Sequence, residues 1–146
     1  FHVDNLMRLS GRSGLAACGL LDFQDAVVGP AAYDLMSLLE DARRDLSPAL
    51  KADMLARYRS GVDEVDWKGF ERAFAVLAAQ RHAKVIGIFT RLCRRDGKPA
   101  YLVHIPRVWR LLERALETRA LASVARWFDR YLPRSVRAVP RPTERR

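Results

Sequence analysis

The sequence predicts an α+β domain that is mainly α, with a small β-hairpin on a helical body. Three observations carry this. Short apolar runs over residues 6–10 and 15–21 flank the turn sequence Gly11-Arg12-Ser13-Gly14, the signature of a hairpin. Further along, Trp67, Phe70, Phe74, Leu77, Val85, Ile88 and Leu92 recur at the spacings of a helix face. Between and after these segments, Ser, Pro, Asp and Gly stand where helices start and stop.

The second apolar run of the hairpin stops at Asp22. A loop follows, closed by Gly29-Pro30, and Pro30 suits the first turn of a helix. That helix is predicted over 31–42, with Leu35, Met36, Leu38 and Leu39 facing inward. Ser47 is placed to cap the next helix and Pro48 to open it, and the pattern ends near Ser60-Gly61. Residues 62–66 form an acidic linker whose last member, Asp66, can cap a long helix over about 67–95. Gly87 inside that helix predicts close packing against a neighbour. Asp96-Gly97-Lys98-Pro99 breaks the pattern, and further helices are predicted near 106–117 and 120–131. Trp109 with Leu112, and Val108 with Leu112, lie at core spacing. Residues 1–132 therefore read as the folded unit. Residues 133–146 hold three prolines and five arginines without a core pattern, and read as a basic, disordered or loosely docked tail. A hairpin of this size is not stable alone, so it is expected to lie on the helices.

With 146 residues, 49% of them apolar and 29% charged, the chain has the composition of a soluble globular domain with one core. No apolar run is long enough to cross a bilayer and no leader pattern opens the chain, so a cytoplasmic location without membrane contact is expected. Cys18 and Cys93 lack metal spacing and read as two buried, reduced thiols. The net charge of +9 raises nucleic acid as a partner, but its distribution does not favour one. Residues 1–66 carry 7 Lys/Arg against 11 Asp/Glu, whereas 67–146 carry 19 against 6. The basic half is helical, with arginines spread over many turns and no interleaved aromatic pattern, so nucleic acid is not the expected ligand.

The residues that can carry chemistry sit in the acidic half. Asn5 lies just before the first predicted strand and Asp22 just after the second, and antiparallel pairing brings the two together. An amide oxygen and a carboxylate make a hard oxygen site of the kind Mg²⁺ accepts, with water and phosphate completing its shell. On spacing alone, two polar residues capping the hairpin ends would explain the pair equally well. In the second half, Arg81 falls where the apolar seam would run on from Leu77 to Val85. An Arg facing inward needs an anionic or hydrogen-bonding partner. It is a candidate for the wall of a substrate pocket, for an ion pair with the acidic half, or for a solvated turn.

The arrangement resembles a kinase catalytic loop, in which His-Arg-Asp is followed by four residues and Asn, then a hairpin, then Asp-Phe-Gly. Here Phe1-His2-Val3-Asp4 precede Asn5, and Asp22-Phe23 follows the hairpin, with Gln24 where protein kinases have Gly. The stretches HVDNLM, GLLDFQDAVVGPAAYDL, LLEDARRD, KVIGIFTRLCRRDGKPAYL and IPRVWRLLERAL narrow the resemblance. They look like the aminoglycoside phosphotransferase and choline kinase-like superfamily. Within it they look most like bacterial anomeric kinases of N-acetylmuramate and N-acetylglucosamine in peptidoglycan recycling. The resemblance runs from Phe1 to about Leu132.

That resemblance implies the C-terminal lobe of a protein kinase-like fold, acting with Mg²⁺, with ATP as phosphoryl donor and with an amino-sugar acceptor. Asn5 and Asp22 match the two metal ligands, and Asp34 matches a residue that ties a helix start to the catalytic loop. Asp4, Asp25 and Arg81 are candidate substrate contacts, with a solvated carboxylate the other reading of Asp4. The catalytic-base Asp is expected immediately before Phe1. The phosphate-covering loop and the Lys are expected in an N-terminal lobe, so these 146 residues alone are not expected to catalyse. An aminoglycoside or another alcohol as acceptor, a basic helical binding module and a pseudokinase are the other readings.

Overall fold

The computed structural model describes residues 2–22, 24, 26–63 and 66–141. A helical turn over Val3–Asn5 leads into strand β1 (Leu6–Arg8), which pairs antiparallel with β2 (Cys18–Leu20) in the register Leu6–Leu20, Met7–Gly19 and Arg8–Cys18. Helices α1 (Ala32–Leu39), α2 (Pro48–Ser60), α3 (Trp67–Asp96), α4 (Ile105–Leu116) and α5 (Ala122–Tyr131) follow. The architecture is therefore mainly helical with one small hairpin, as predicted.

Local chemistry sets the helix ends. The Ser47 hydroxyl accepts from the Leu50 amide at 3.2 Å, and Pro48 takes the first position of α2, where no backbone donor is needed. The Asp66 carboxylate accepts from the Gly69 amide at 3.0 Å and starts α3. Gly97, at φ 64°, turns the chain out of α3 in the left-handed conformation, and the Lys98 amide bonds back to the Leu92 carbonyl. The predicted helix over 31–42 is shorter at both ends. Its first turn is tied outside the helix, by the Tyr33 amide donating to the Pro30 carbonyl, and Glu40 leaves helical geometry at φ −122°.

The core forms where α3 packs against α1 and α4. Ile105, Val108 and Leu112 on α4 and Met36 on α1 are fully buried. Each such side chain contributes about 1.5–3 kcal/mol by leaving water. The stripe predicted from Val108 and Leu112 is thus core, with Trp109 half-buried beside it. On α3, however, the buried line is Ala78, Ala79, His82, Phe89 and Cys93. It lies one residue on from the predicted Leu77, Ile88 and Leu92, which flank it half-buried. The small alanines let α1 and α4 approach closely, and the larger side chains fill the shoulders.

Four expectations need correction. The first half of the run over 15–21 is not strand: Gly14–Ala17 form a helical turn, and only Cys18–Leu20 join the ladder. The hairpin packs on the helical body more shallowly than expected: no described residue from His2 to Ala31 is fully buried, and Met7 and Leu20 are about half exposed. Cys18 is consequently exposed, whereas Cys93 is buried as predicted. Gly87 is on the open side of α3, where an added Cβ would meet no described neighbour within 4 Å. Gly87→Ala should therefore stabilise the chain by about 0.5–1 kcal/mol, read as a higher urea midpoint with an unchanged slope.

The stretch read as a tail reaches the helical body chiefly through Arg137, with Arg134 3.7 Å from Glu113 beside it. The Arg137 guanidinium lies over the Trp109 ring at 5.6 Å and donates to the Leu132 carbonyl, Glu113 and Asp129 at 2.7, 2.8 and 3.0 Å. A basic composition hid this residue, because its partners sit on α4 and α5 and converge only after those helices pack.

Candidate active site

The mouth of the hairpin joins residues 17 apart in sequence. The Asn5 amide nitrogen is held by the His2 carbonyl at 2.9 Å, and the Asn5 carbonyl accepts from the Leu21 amide at 2.9 Å. This last bond carries the ladder one step beyond the Leu6–Leu20 pair and delivers Asp22 to Asn5. The Asn5 side-chain amide then donates to Asp22 Oδ2 at 3.3 Å, and Gln24 donates to Oδ1 at 3.0 Å.

Asp22 has φ 55° and is the one non-glycine among the described residues in the left-handed region. That conformation costs an ordinary L-residue about 1–2 kcal/mol, though Asp and Asn enter it more readily than others. Here it ends β2 abruptly and swings the carboxylate back across the hairpin mouth. A sterically costly backbone at a residue that presents a carboxylate is a common mark of a working site.

The donor set fits a hard divalent cation. Asp22 supplies anionic oxygen, and a half-turn of the Asn5 amide would present its oxygen beside it. No group of three or more His, Cys, Asp or Glu is gathered for a metal among the described residues. Two protein donors suit Mg²⁺, which keeps water and phosphate oxygens in its shell, better than Ca²⁺, which takes six to eight oxygens.

The other candidates take different places. Asp4 is half exposed and faces the guanidinium groups of Arg43 and Arg44 at 3.6 and 3.5 Å. His2 Nδ1 lies 3.8 Å from the same carboxylate and makes no hydrogen bond among the described residues. Asp34 stands in the first turn of α1, where a carboxylate favours the helix terminus. Asp25 lies outside the described residues. Arg81 is half-buried, donates to the Tyr33 hydroxyl at 3.0 Å and lies over the Tyr33 ring at 5.7 Å. Among the described residues Arg81 thus meets a phenol on α1, whereas the buried contact with a carboxylate of the acidic half is made by its neighbour.

That neighbour, His82, was not singled out from sequence. It is buried and meets Glu40 at 2.9 Å, and Lys51 approaches the other Glu40 oxygen. Burial pushes the Glu40 carboxyl up, but hydrogen bonds from His82 and Lys51 outweigh it and hold the group below its ordinary value. A buried carboxylate is kept ionised only by such partners. The available signal was a Glu in the apolar run Leu38-Leu39-Glu40 and a His one residue from the seam, and neither names its partner.

Residues 1–68, which hold the hairpin, α1, α2 and the start of α3, match the model of the phosphotransferase enzyme family. Residues 1–68 thus carry the sequence pattern of that family. Similarity to individual phosphotransferases extends through the helical body. The chain is 45% identical over 133 residues to an N-acetylmuramate/N-acetylglucosamine kinase of Caulobacter vibrioides, covering 91% of this chain and 37% of that protein. It is 43% identical over 110 residues to the protein of the same name in Pseudomonas aeruginosa, covering 69% and 32%. With that of Neisseria meningitidis it shares 42% over 120 residues, covering 78% and 34%. The chain thus spans about a third of the length of the curated phosphotransferases it matches. A mainly helical body with one small hairpin is consistent with the C-terminal lobe of a kinase-like phosphotransferase. No described helix is long and apolar enough to cross a membrane.

Proposed function

We propose that the intact protein carrying this chain is an ATP- and Mg²⁺-dependent kinase of an amino sugar, N-acetylmuramate or N-acetylglucosamine, and that it phosphorylates the anomeric hydroxyl in peptidoglycan recycling. The observation that carries the reading is the 45% identity to a kinase so named, in a chain whose Asn5 and Asp22 meet at the hairpin mouth. Asp22 and Asn5 would hold Mg²⁺, whose charge, when bound, offsets the negative charge of the transferring phosphoryl group. The remaining work is positioning. Asp34 steadies the start of α1 against the loop that bears Asn5. In the kinase loop the proton acceptor is an Asp separated from the Asn by four residues, and an Asp at the corresponding position would take the acceptor's proton here. Location in the cytoplasm follows from the nucleotide and the recycled sugar.

The test uses the intact protein with ATP and Mg²⁺. ADP release should depend on N-acetylmuramate or N-acetylglucosamine and yield an acid-labile sugar phosphate, as a glycosyl phosphate is and a 6-phosphate is not. Release dependent on an aminoglycoside or choline instead would keep the fold and change the acceptor. No acceptor-dependent release would leave the pseudokinase reading, and steep salt-dependent binding to nucleic acid without transfer would favour the binding module.

A further inference from the structure

The segment between α1 and α2 is more firmly built than its length requires. Its Asp41 is buried, and the Asp41 carboxylate accepts from the Arg43 and Arg44 amides at 2.7 and 3.1 Å. From α4, the mostly buried Arg107 side chain donates to the Asp41 carbonyl at 3.1 and 2.8 Å and also bonds the Arg44 carbonyl and Asp45. Glu40, at the head of the segment, is fixed by His82 from α3 and Lys51 from α2. Three helices therefore hold six residues of irregular backbone in one shape. What that shape presents is a pair of guanidinium groups, both directed at Asp4. Arg43 is steadied further by the Phe89 ring beneath it, at 5.9 Å.

We propose that Arg43 and Arg44 are positioning residues for the Asn5–Asp22 site, acting through Asp4. The inference rests on the reading of Asn5 as a metal donor. Asp4 is the residue before Asn5, in the turn whose end sets the Asn5 side chain. Among the described residues none at the hairpin or its mouth is fully buried, so apolar packing of those residues does little to fix the mouth relative to the helical body. The ion pairs hold it. An exposed ion pair is ordinarily weak because two long side chains must be ordered to make it. Here the backbone of both arginines is already fixed by Asp41 and Arg107, so less ordering is left to oppose the contact. The contact also explains why Asp4 carries a carboxylate in a loop where the metal donors are its neighbours: its charge is matched by two cations and does not compete with Asp22.

Two measurements test this. In the 146-residue chain, amide hydrogen exchange is compared for Asp4→Asn, for Arg43→Gln/Arg44→Gln and for the triple variant. The Asn5 and Leu21 amides, which close the turn and the ladder, should exchange about threefold to fivefold faster in each, with the triple variant no worse than either parent. Amides of α3 and α4 should not change. In the intact protein, Arg43→Gln/Arg44→Gln should raise the Mg²⁺ concentration for half-maximal phosphotransfer by a similar factor, with the acceptor KM moving less. Unchanged exchange at Asn5 and Leu21 would overturn the proposal. So would faster exchange in an active enzyme whose Mg²⁺ dependence is unaltered, because the contact would then be structural only. A wild-type protein that transfers no phosphoryl group would instead overturn the kinase reading, and with it the metal role, while the exchange data would still decide whether the arginines hold the loop.

Discussion

Asp22→Asn is expected to lower Mg²⁺-dependent phosphotransfer by the intact protein about 10²- to 10³-fold, the usual cost of removing one group that stabilises charge in a transition state. The substitution is chosen to isolate charge. Asn tolerates the left-handed backbone that Asp22 adopts at φ 55°, whereas Ala would add strain there. The side chain is exposed, and its carbonyl oxygen can still accept from Asn5 or Gln24. The melting temperature should therefore hold while activity falls. A variant that keeps more than about a tenth of wild-type activity would remove Asp22 from the metal site, because an amide cannot replace the charge that a divalent cation requires.

The second large effect is on stability. Glu40→Ala should destabilise the chain by about 3–5 kcal/mol at neutral pH, the range for breaking a buried ion pair by deleting one partner. His82, itself buried, and Lys51 would lose the carboxylate they share. Glu40→Gln keeps the shape and some hydrogen bonding, and should cost less. The pH dependence follows from the direction of the Glu40 shift. Burial raises the Glu40 pKa, the hydrogen bonds from His82 and Lys51 lower it, and the net is below the ordinary carboxylate value. The unfolded chain then takes up the proton first as pH falls. The stabilisation by Glu40 is complete above the unfolded value and is lost as pH drops through the lower folded one. Urea titrations at pH 7 and at pH 4 or below should show a loss of stability in the wild type that is smaller in Glu40→Gln. Equal losses in the two proteins would show that other carboxylates govern acid unfolding.

How much could be read beforehand differed by the range of the interaction. Ser47, Pro48, Asp66 and Gly97 act on backbone within a few residues, so their roles were legible one by one. The meeting of Asn5 with Asp22 was legible too, because hairpin pairing is itself a local rule. Arg81 and His82 mark where such reading stops. A helix of 30 residues presents several faces, and which adjacent residue turns fully inward depends on how α1 and α4 straddle it. The apolar seam of large side chains pointed to Arg81, yet the alanines at 78 and 79 define the close-packed side, and that side carries His82. Leu15–Ala17 misled in another way, since their apolar character promised a strand and they form a helical turn that buries none of them.

By itself the sequence determined the helices, the capped ends of α2 and α3 and the pairing that sets Asn5 beside Asp22, because each depends on neighbours within a turn or a hairpin. Only the tertiary structure decided that Glu40 meets His82 and Lys51, that Arg107 clamps the segment after α1, and that Arg43 and Arg44 face Asp4. Those partners lie 11 to 66 residues apart along the chain. Their chemistry as charged residues is evident in any listing of the sequence. Their pairing comes from the packing of α3 against α1 and α4, which buries apolar surface first and thereby selects which charges must be satisfied together.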